Sequence, residues 1–340
     1  MNPIPPISGL GSAVALFLAQ FTGEHNSLHP AGPQASDIEW LYWVIFWITF
    51  VAFILMIAGF ARAAARNRTQ ATEMLPIMSD PEGDRRATWA VSSAVAITVL
   101  TLFVVLFMSV ITGKKVEGRT STNPITIQIT GHQWWWEVQY PSPQADQTIT
   151  TANEIHIPVG RPVVILTSSA DVIHSFWAPS VNGKRDLLPG YSSAFWIQID
   201  KPGTYSGRCA EFCGLQHAHM GFSIIAEDDD TFQQWEQQQL KPAADPADPE
   251  AARGKQVFAT HACIMCHTIR GTDAGSRMGP DLTHLGSRQM IAAETLPNTR
   301  GALAGWIIDP QRIKPGNHMA PNLLEPDDLQ ALITYLQTLQ

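Results

Sequence analysis

Apolar positions fall into three regimes along the chain. Two stretches, 40–61 and 88–112, contain no charged residue, and each exceeds the ~20 residues a helix needs to cross a ~30 Å hydrocarbon layer. Trp40, Tyr42, Trp43 and Trp89 stand near the ends of these spans, where amphipathic rings favour a membrane–water interface. From about residue 120 the period drops to two. Ile125, Ile127 and Ile129 alternate with polar neighbours, as do Ile155, Ile157 and Val159, and then Phe195, Ile197 and Ile199. Pro141, Gly160, Pro162, Gly190, Pro202 and Gly203 punctuate these runs, so the pattern predicts short strands of an all-β sandwich or barrel with no helical segment. A polar, Pro/Ala-rich stretch at 237–249 reads as a linker. Helical spacing follows it: Leu329, Leu332, Ile333, Leu336 and Leu339 share one face, with Pro326 suited to the first turn and Asp327 and Asp328 complementing the dipole there.

Charge gives the membrane segments a direction. Neither span holds Asp, Glu, Lys, Arg or His, the usual marks of proton relays or intramembrane metal ligands, so the pair reads as an anchor. Arg62, Arg66, Arg68, Arg85 and Arg86 lie between the spans, none precedes Trp40, and Lys114, Lys115 and Arg119 follow the second. The positive-inside bias puts the loop 62–87 in the cytoplasm and both termini, with everything after residue 112, on the outer side of the cell membrane. Residues 7–21 form a short apolar run without a positive leader or an A-x-A site, which leaves a cleaved signal peptide open. Hydrophobic residues make up 45% and charged residues 15%, neither a disordered nor a wholly membrane-embedded composition. Acidic and basic residues balance before position 120, so the net charge of −8 belongs to the exported part, which argues against nucleic acid as a partner.

The 4 cysteines come as two pairs in a long chain, which is not a disulfide scaffold. In CAEFCGLQHAHM (209–220), Cys209, Cys213, His217 and Met220 supply two thiols, an imidazole and a thioether, and HSFWAPS upstream offers His174. Soft sulfur with imidazole and a weak thioether is the set copper prefers in electron-transfer sites. A Cys209–Cys213 disulfide, a zinc site, and plain barrel roles for His174 and Met220 stay open at this point. The second pair, Cys263 and Cys266, runs into His267 as C-x-x-C-H, the signature of c-type haem attachment. Two thiols at this spacing can each add to a haem vinyl group while the adjacent histidine reaches the iron. In GHQWWWE (131–137), Trp134, Trp135 and Trp136 cannot all face one side of a strand, so at least one indole should be exposed or meet another surface.

C-A-E-x-C-G-x-x-H-x-x-M, with the upstream H-S-F-W-x-P-S and GHQWWWE, resembles subunit II of the haem–copper cytochrome c oxidases. The resemblance implies a cupredoxin-like Greek-key β-barrel over 120–236 carrying a binuclear copper centre, CuA. Cys209 and Cys213 would bridge two coppers, His174 and His217 would bind one each, Met220 would be a weak ligand, and Glu211 would contribute its backbone carbonyl. It also implies a Mg2+ ion at the interface with the catalytic subunit, held in part by the Glu211 carboxylate, and an electron-input role for Trp134. GPDLTHLGSR (279–288) and IKPGNHMAPN (313–322) resemble the class I cytochrome c domain of fused, caa(3)-type oxidases. That implies an all-α haem domain over 250–340, with iron held by His267 and Met319 and the Pro280 carbonyl accepting from the His267 ring. The family places proline directly after this methionine. Here Ala320 intervenes, which keeps Met278, Met290 and His318 as alternatives.

The expected architecture is therefore multidomain: an exported N-terminal segment (1–39), a two-helix transmembrane hairpin (40–61 and 88–112), the barrel, the linker and the haem domain. The resemblance implies the electron-input subunit of an aerobic terminal oxidase. Its donor would be an external cytochrome c or an upstream quinol–cytochrome c reductase, and its partners subunit I, other oxidase subunits and membrane lipid. Reduction of O2 to water coupled to proton translocation would lie in the catalytic partner, because the spans here lack the histidines to hold a haem and copper. The alternatives are the CuA subunit of a nitric oxide reductase and a stand-alone membrane redox carrier. His25, His29, His156, His219, His261 and His284 are expected to be structural or solvated.

Overall fold

Helices α1 (Pro33–Asn67) and α2 (Pro81–Glu117) carry the two uncharged spans and overrun them at both ends. The extra turns are polar and compatible with the helix dipole: Arg66 lies in the last turn of α1, Glu82 and Asp84 in the first turn of α2, and Lys114 and Lys115 in its last. Trp47, Leu55 and Phe60 on α1 and Leu100, Phe103 and Phe107 on α2 are all exposed. An apolar surface on every side of a helix is one that lipid covers. This computed structural model describes residues 26–67, 81–118 and 124–340. The apolar run 7–21, Arg68, Arg119 and much of the expected loop 62–87 lie outside the described residues. Residues 36–120 form one unit; residues up to 35 together with 121–340 form the other.

The second unit begins with two five-stranded sheets. The first runs β3 (Ile149–Ala152), β2 (Trp135–Tyr140), β1 (Ile125–His132), β5 (Val163–Ser169), β8 (Ser193–Ile197). The second runs β4 (Glu154–Pro158), β10 (Gly221–Glu227), β9 (Gly203–Cys209), β6 (His174–Trp177), β7 (Arg185–Leu187). Pairing is antiparallel except for β1 with β5 and β4 with β10. One core draws Ile127, Ile129, Ile165 and Ile197 from the first sheet and Ile155, Ile157, Phe222 and Ile224 from the second. The period-two stripe thus faces inward, as strand geometry dictates. Part of the expected N-terminal exported segment joins this domain: Ala31 N–H donates to Ser180 O at 2.7 Å, and Asp200 N–H to Ala31 O at 2.8 Å.

Two expectations need correction. The β-domain closes with a helix, α3 (Asp229–Gln239), capped by Asp228 accepting from Thr231 N–H. Only Phe232 and Trp235 mark its apolar face, too few to show a 3.6-residue period. This helix runs into the expected linker, and the remainder is not a free tether. Gln239 O accepts from the Arg270 guanidinium and lies 3.2 Å from His284 Nε2, while Ala243 N–H donates to Arg270 O at 2.9 Å. A polar composition signals solvation, but backbone groups still bond to whatever surface they meet.

The C-terminal domain is built on helices α4 (Pro249–Thr260), α5 (Arg300–Ile308), α6 (Pro310–Ile313) and α7 (Pro326–Thr338), with a two-residue ladder between β11 (Met290–Ile291) and β12 (Leu296–Pro297). Asp248 caps α4 by accepting from Ala251 N–H at 3.1 Å. Where α4 crosses α7, a Cβ on Gly254 would fall 2.0 Å from Ala331 O. Glycine sets the close approach of the two helices. Ile269, Leu332, Ile333 and Tyr335 fill the core beneath them.

Candidate metal centre and haem-attachment site

Strand β9 ends at Cys209 and β10 begins at Gly221, so the intervening loop leaves and re-enters one sheet. Its mouth is closed by Cys209 N–H donating to Met220 O at 3.0 Å, and Ala210 N–H donating to Ser175 O at 2.9 Å ties it to β6. His174 opens β6 and is fully buried. The ligand atoms of His174, Cys209 and Cys213 all lie within 4.8 Å of one another. Cys209 Sγ is 3.9 Å from His174 Nδ1 and 3.1 Å from Glu211 O; Cys213 Sγ is 3.7 Å from His217 Nδ1 and 3.8 Å from Met220 Sδ. Each sulfur therefore has its own imidazole and its own weak donor. A single tetrahedral ion would use only four of these six atoms, whereas the doubled set suits two soft ions that share the thiolates.

Protonation favours the same occupancy. A hydrogen bond from Cys213 pushes the Cys209 thiol far down in pKa, against its burial, and the resulting thiolate pushes Cys213 up. The pair gives up one proton readily and holds the second tightly, because its loss would set two thiolates side by side, a repulsion that cations replacing both protons would relieve.

The surroundings fix the rings. Gly131 leaves room for His174, since a Cβ there would meet the imidazole Cδ2 at 2.7 Å. Asp171 Oδ1 lies 2.7 Å from His174 Nε2, so Nδ1 is the nitrogen turned to the sulfurs. Burial works against the Asp171 charge, but its bonds to His174 and to the N–H groups of Val172 and Gln133 outweigh it and hold the carboxyl below its usual range. Sequence reasoning missed Asp171. Its only signal is an aspartate three residues before the histidine, which reads equally well as a turn. Gln133 Nε2 and Trp134 Nε1 both donate to Cys213 O, at 2.7 and 3.0 Å, and hold the ligand loop from the β1–β2 turn.

The three tryptophans divide. Trp136 is fully buried, edge-on to Phe222 at 5.3 Å. Trp135 stacks on His132 at 4.3 Å. Trp134 lies in the turn before β2 and is 6% exposed, so the surface it meets is inside the chain itself. Gly316 of the C-terminal domain approaches it, and its ring centroid is 6.2 Å from that of His318. Glu211 points its carbonyl at Cys209 while its side chain is exposed.

In the C-terminal domain, α4 delivers the chain into a short turn that places Cys263, Cys266 and His267, with His267 N–H donating to Cys263 O at 3.0 Å. His267 Nδ1 is 2.8 Å from Pro280 O, which leaves Nε2 as the free ligand atom. Burial pushes this histidine below its ordinary pKa and keeps it in the neutral form that binds metal. Gly279 makes the fit close: a Cβ would sit 2.8 Å from His267 Cε1. Met319 lies on the loop between α6 and α7, pinned by Gln311 Nε2 donating to Met319 O at 2.8 Å and by its own N–H on Asn317 Oδ1 at 2.8 Å. Met278 is 77% exposed, and Met290 is in β11. A cradle for one imidazole beside two free thiols fits a covalently attached haem.

Comparison with known proteins follows the same division. The family model described as "Cytochrome C oxidase subunit II, periplasmic domain" matches residues 143–227, and that described as "Cytochrome c" matches residues 251–340. The chain is 33% identical over 337 residues to cytochrome c oxidase subunit 2 of Alkalihalophilus pseudofirmus, covering 97% of this chain and 95% of that protein. It is 28% identical to cytochrome c oxidase subunit 2 of Bacillus subtilis, covering 93% and 92%. The crystal structure of the periplasmic domain of subunit II of cytochrome oxidase (CoxB) of Bradyrhizobium japonicum aligns with 35% of this chain and 95% of its own, at 29% identity and a TM-score of 0.33.

Proposed function

The chain belongs to the cytochrome c oxidase subunit II family, a membrane-anchored component of haem–copper oxidases, and we propose that it is the electron-input subunit carrying a CuA centre and a covalent haem c. The observation that carries this reading is the doubled donor set around Cys209 and Cys213 on the same chain as a C-x-x-C-H segment. Cys209 and Cys213 would hold the coppers with His174 and His217, Met220 would be a weak ligand, and Glu211 would add its carbonyl. Cys263 and Cys266 would hold the haem, with His267 and Met319 offered to its iron. When bound, the copper pair and the haem each take up and release single electrons. The protein's part is to keep donor atoms still: Asp171 orients one imidazole, Pro280 the other, and the β1–β2 turn holds the ligand loop.

The chain receives electrons from a cytochrome c or a quinol–cytochrome c reductase and hands them to catalytic subunit I, where O2 is reduced and protons are translocated. Trp134 is the electron-input residue of the copper domain. The exposed Glu211 carboxylate contributes to a Mg2+ site shared with subunit I. The cytoplasmic side holds the loop between the spans, and both redox domains lie outside. Changing Cys213 to Ser tests the reading. The mixed-valence copper signal should vanish from electron paramagnetic resonance spectra while the haem optical spectrum stays intact. Retention of the copper signal would remove Cys213 from the centre.

A further inference from the structure

Lys314 has no part in either centre, yet only 3% of it is exposed. A lysine is almost never buried this far without partners. Its Nζ donates to two carbonyl oxygens from different domains: Trp134 O of the β-domain at 2.9 Å and Ala292 O of the haem domain at 3.1 Å. Two N–H donors suffice for both bonds, and the amine supplies them whether or not it is charged.

The surroundings are built to the same end. Gln216 Nε2, inside the copper-ligand loop, donates to Pro315 O at 2.8 Å. Gly221 N–H, next to Met220, donates to Ala293 O at 3.2 Å. Gln289 N–H donates to the buried Glu154 Oε1 at 2.9 Å. Ala292, Ala293 and Glu294 all take positive φ, at 55°, 56° and 62°. Side-chain-bearing residues adopt that conformation reluctantly, and it persists where the surroundings over-determine it. Here it presents successive carbonyls, 292 and 293, to Lys314 and to the β-domain. Gly221 is matched to this turn, because a Cβ on it would come 2.8 Å from Glu294 Cβ.

We propose that Lys314 is the clasp that holds the haem-attachment domain closed on the β-domain over Trp134. The geometry of the clasp stands on these contacts alone; its purpose rests on the redox reading above. Closure lays the loop that carries Met319 against the proposed electron-input residue, with Gly316 and His318 beside Trp134. It also shields Trp134 from other proteins, so an external donor has the haem domain as its docking surface. Lys314 is thus a positioning residue, bonded to the backbone of both domains and outside the residues assigned to either centre.

The test is hydrogen–deuterium exchange on the full-length chain in detergent, comparing wild type with Lys314→Met, which keeps the stem and removes both donors. Exchange should become at least tenfold faster across 215–221 and 289–294. Segments 254–258 and 329–336, inside the haem domain, should keep wild-type protection, and the haem spectrum should not change. Gly221→Ala, which wedges the interface from the other side with Lys314 in place, should open the same two segments. Wild-type exchange at those segments in either variant overturns the proposal. So does uniform acceleration through 254–258 and 329–336, which would make Lys314 a support of the haem domain's own fold. Copper and haem content of the wild-type preparation reports separately on the redox reading: if they are missing while the exchange pattern holds, that reading fails and the clasp stands.

Discussion

Asp171 grips His174 by the ring nitrogen turned away from the sulfurs, and its second oxygen accepts from Gln133 N–H at 2.7 Å. The carboxylate thereby links His174 to the turn that carries Trp134. Partners of this kind fix tautomer and orientation, and losing one costs about 10–100-fold in metal affinity. Asp171→Asn keeps the shape and removes the charge, so copper affinity, measured by competition with a chelator, should fall by about that factor. An unchanged affinity would mean that the sheet alone places the ring. Residues of this site differ in how plainly the chain announces them. Cys209, Cys213, His217 and Met220 sit in one twelve-residue loop, and the spacing of unusual side chains betrays them. Asp171 and Gly131 act through contacts with a residue brought near by folding, and nothing local distinguishes them from a turn aspartate and a strand glycine.

Two glycines show how elements are seated by what is missing from a side chain. Gly254 lets α4 lie against α7 so closely that a Cβ would overlap Ala331 O and approach Tyr335 Cβ at 2.8 Å. Gly254→Ala should lower haem-domain stability by about 1–3 kcal/mol, the usual range for overpacking a well-filled core. The shift should appear in the denaturant midpoint followed at the haem. No shift would mean that the crossing is looser than its backbone distances imply. The apolar stripe of α7 was legible beforehand from Leu329, Leu332 and Leu336, whereas the Ala331 and Tyr335 side that receives this glycine was not; β1, β4 and β8 were legible from their alternating apolar residues. Helix α3 was not legible because its two aromatics make no periodic stripe. The β1–β2 turn was hidden because three tryptophans in a row look like strand when only the last two are. The linker misled for a related reason: composition reports the solvation of side chains, whereas Ala243 and Gln239 are held by backbone groups.

Across the whole chain, motif order predicts domain order, since each motif is local: apolar spans, then the β-domain, then C-x-x-C-H. The meeting of the β-domain with the C-terminal domain could not be foreseen, because Lys314 sits in a motif that says nothing of its partners, and Ala292, Ala293 and Glu294 belong to no motif. The central claim rests instead on the doubled donor set and the C-x-x-C-H segment: we propose that one chain holds a binuclear copper centre and a covalent haem. The most direct measurement is metal analysis of the full-length chain purified in detergent, with acid–acetone extraction of the same sample. The account predicts two coppers and one haem per chain, the haem staying with the polypeptide because thioether bonds to Cys263 and Cys266 hold it. A single copper, zinc in its place, or haem released into the solvent would contradict it.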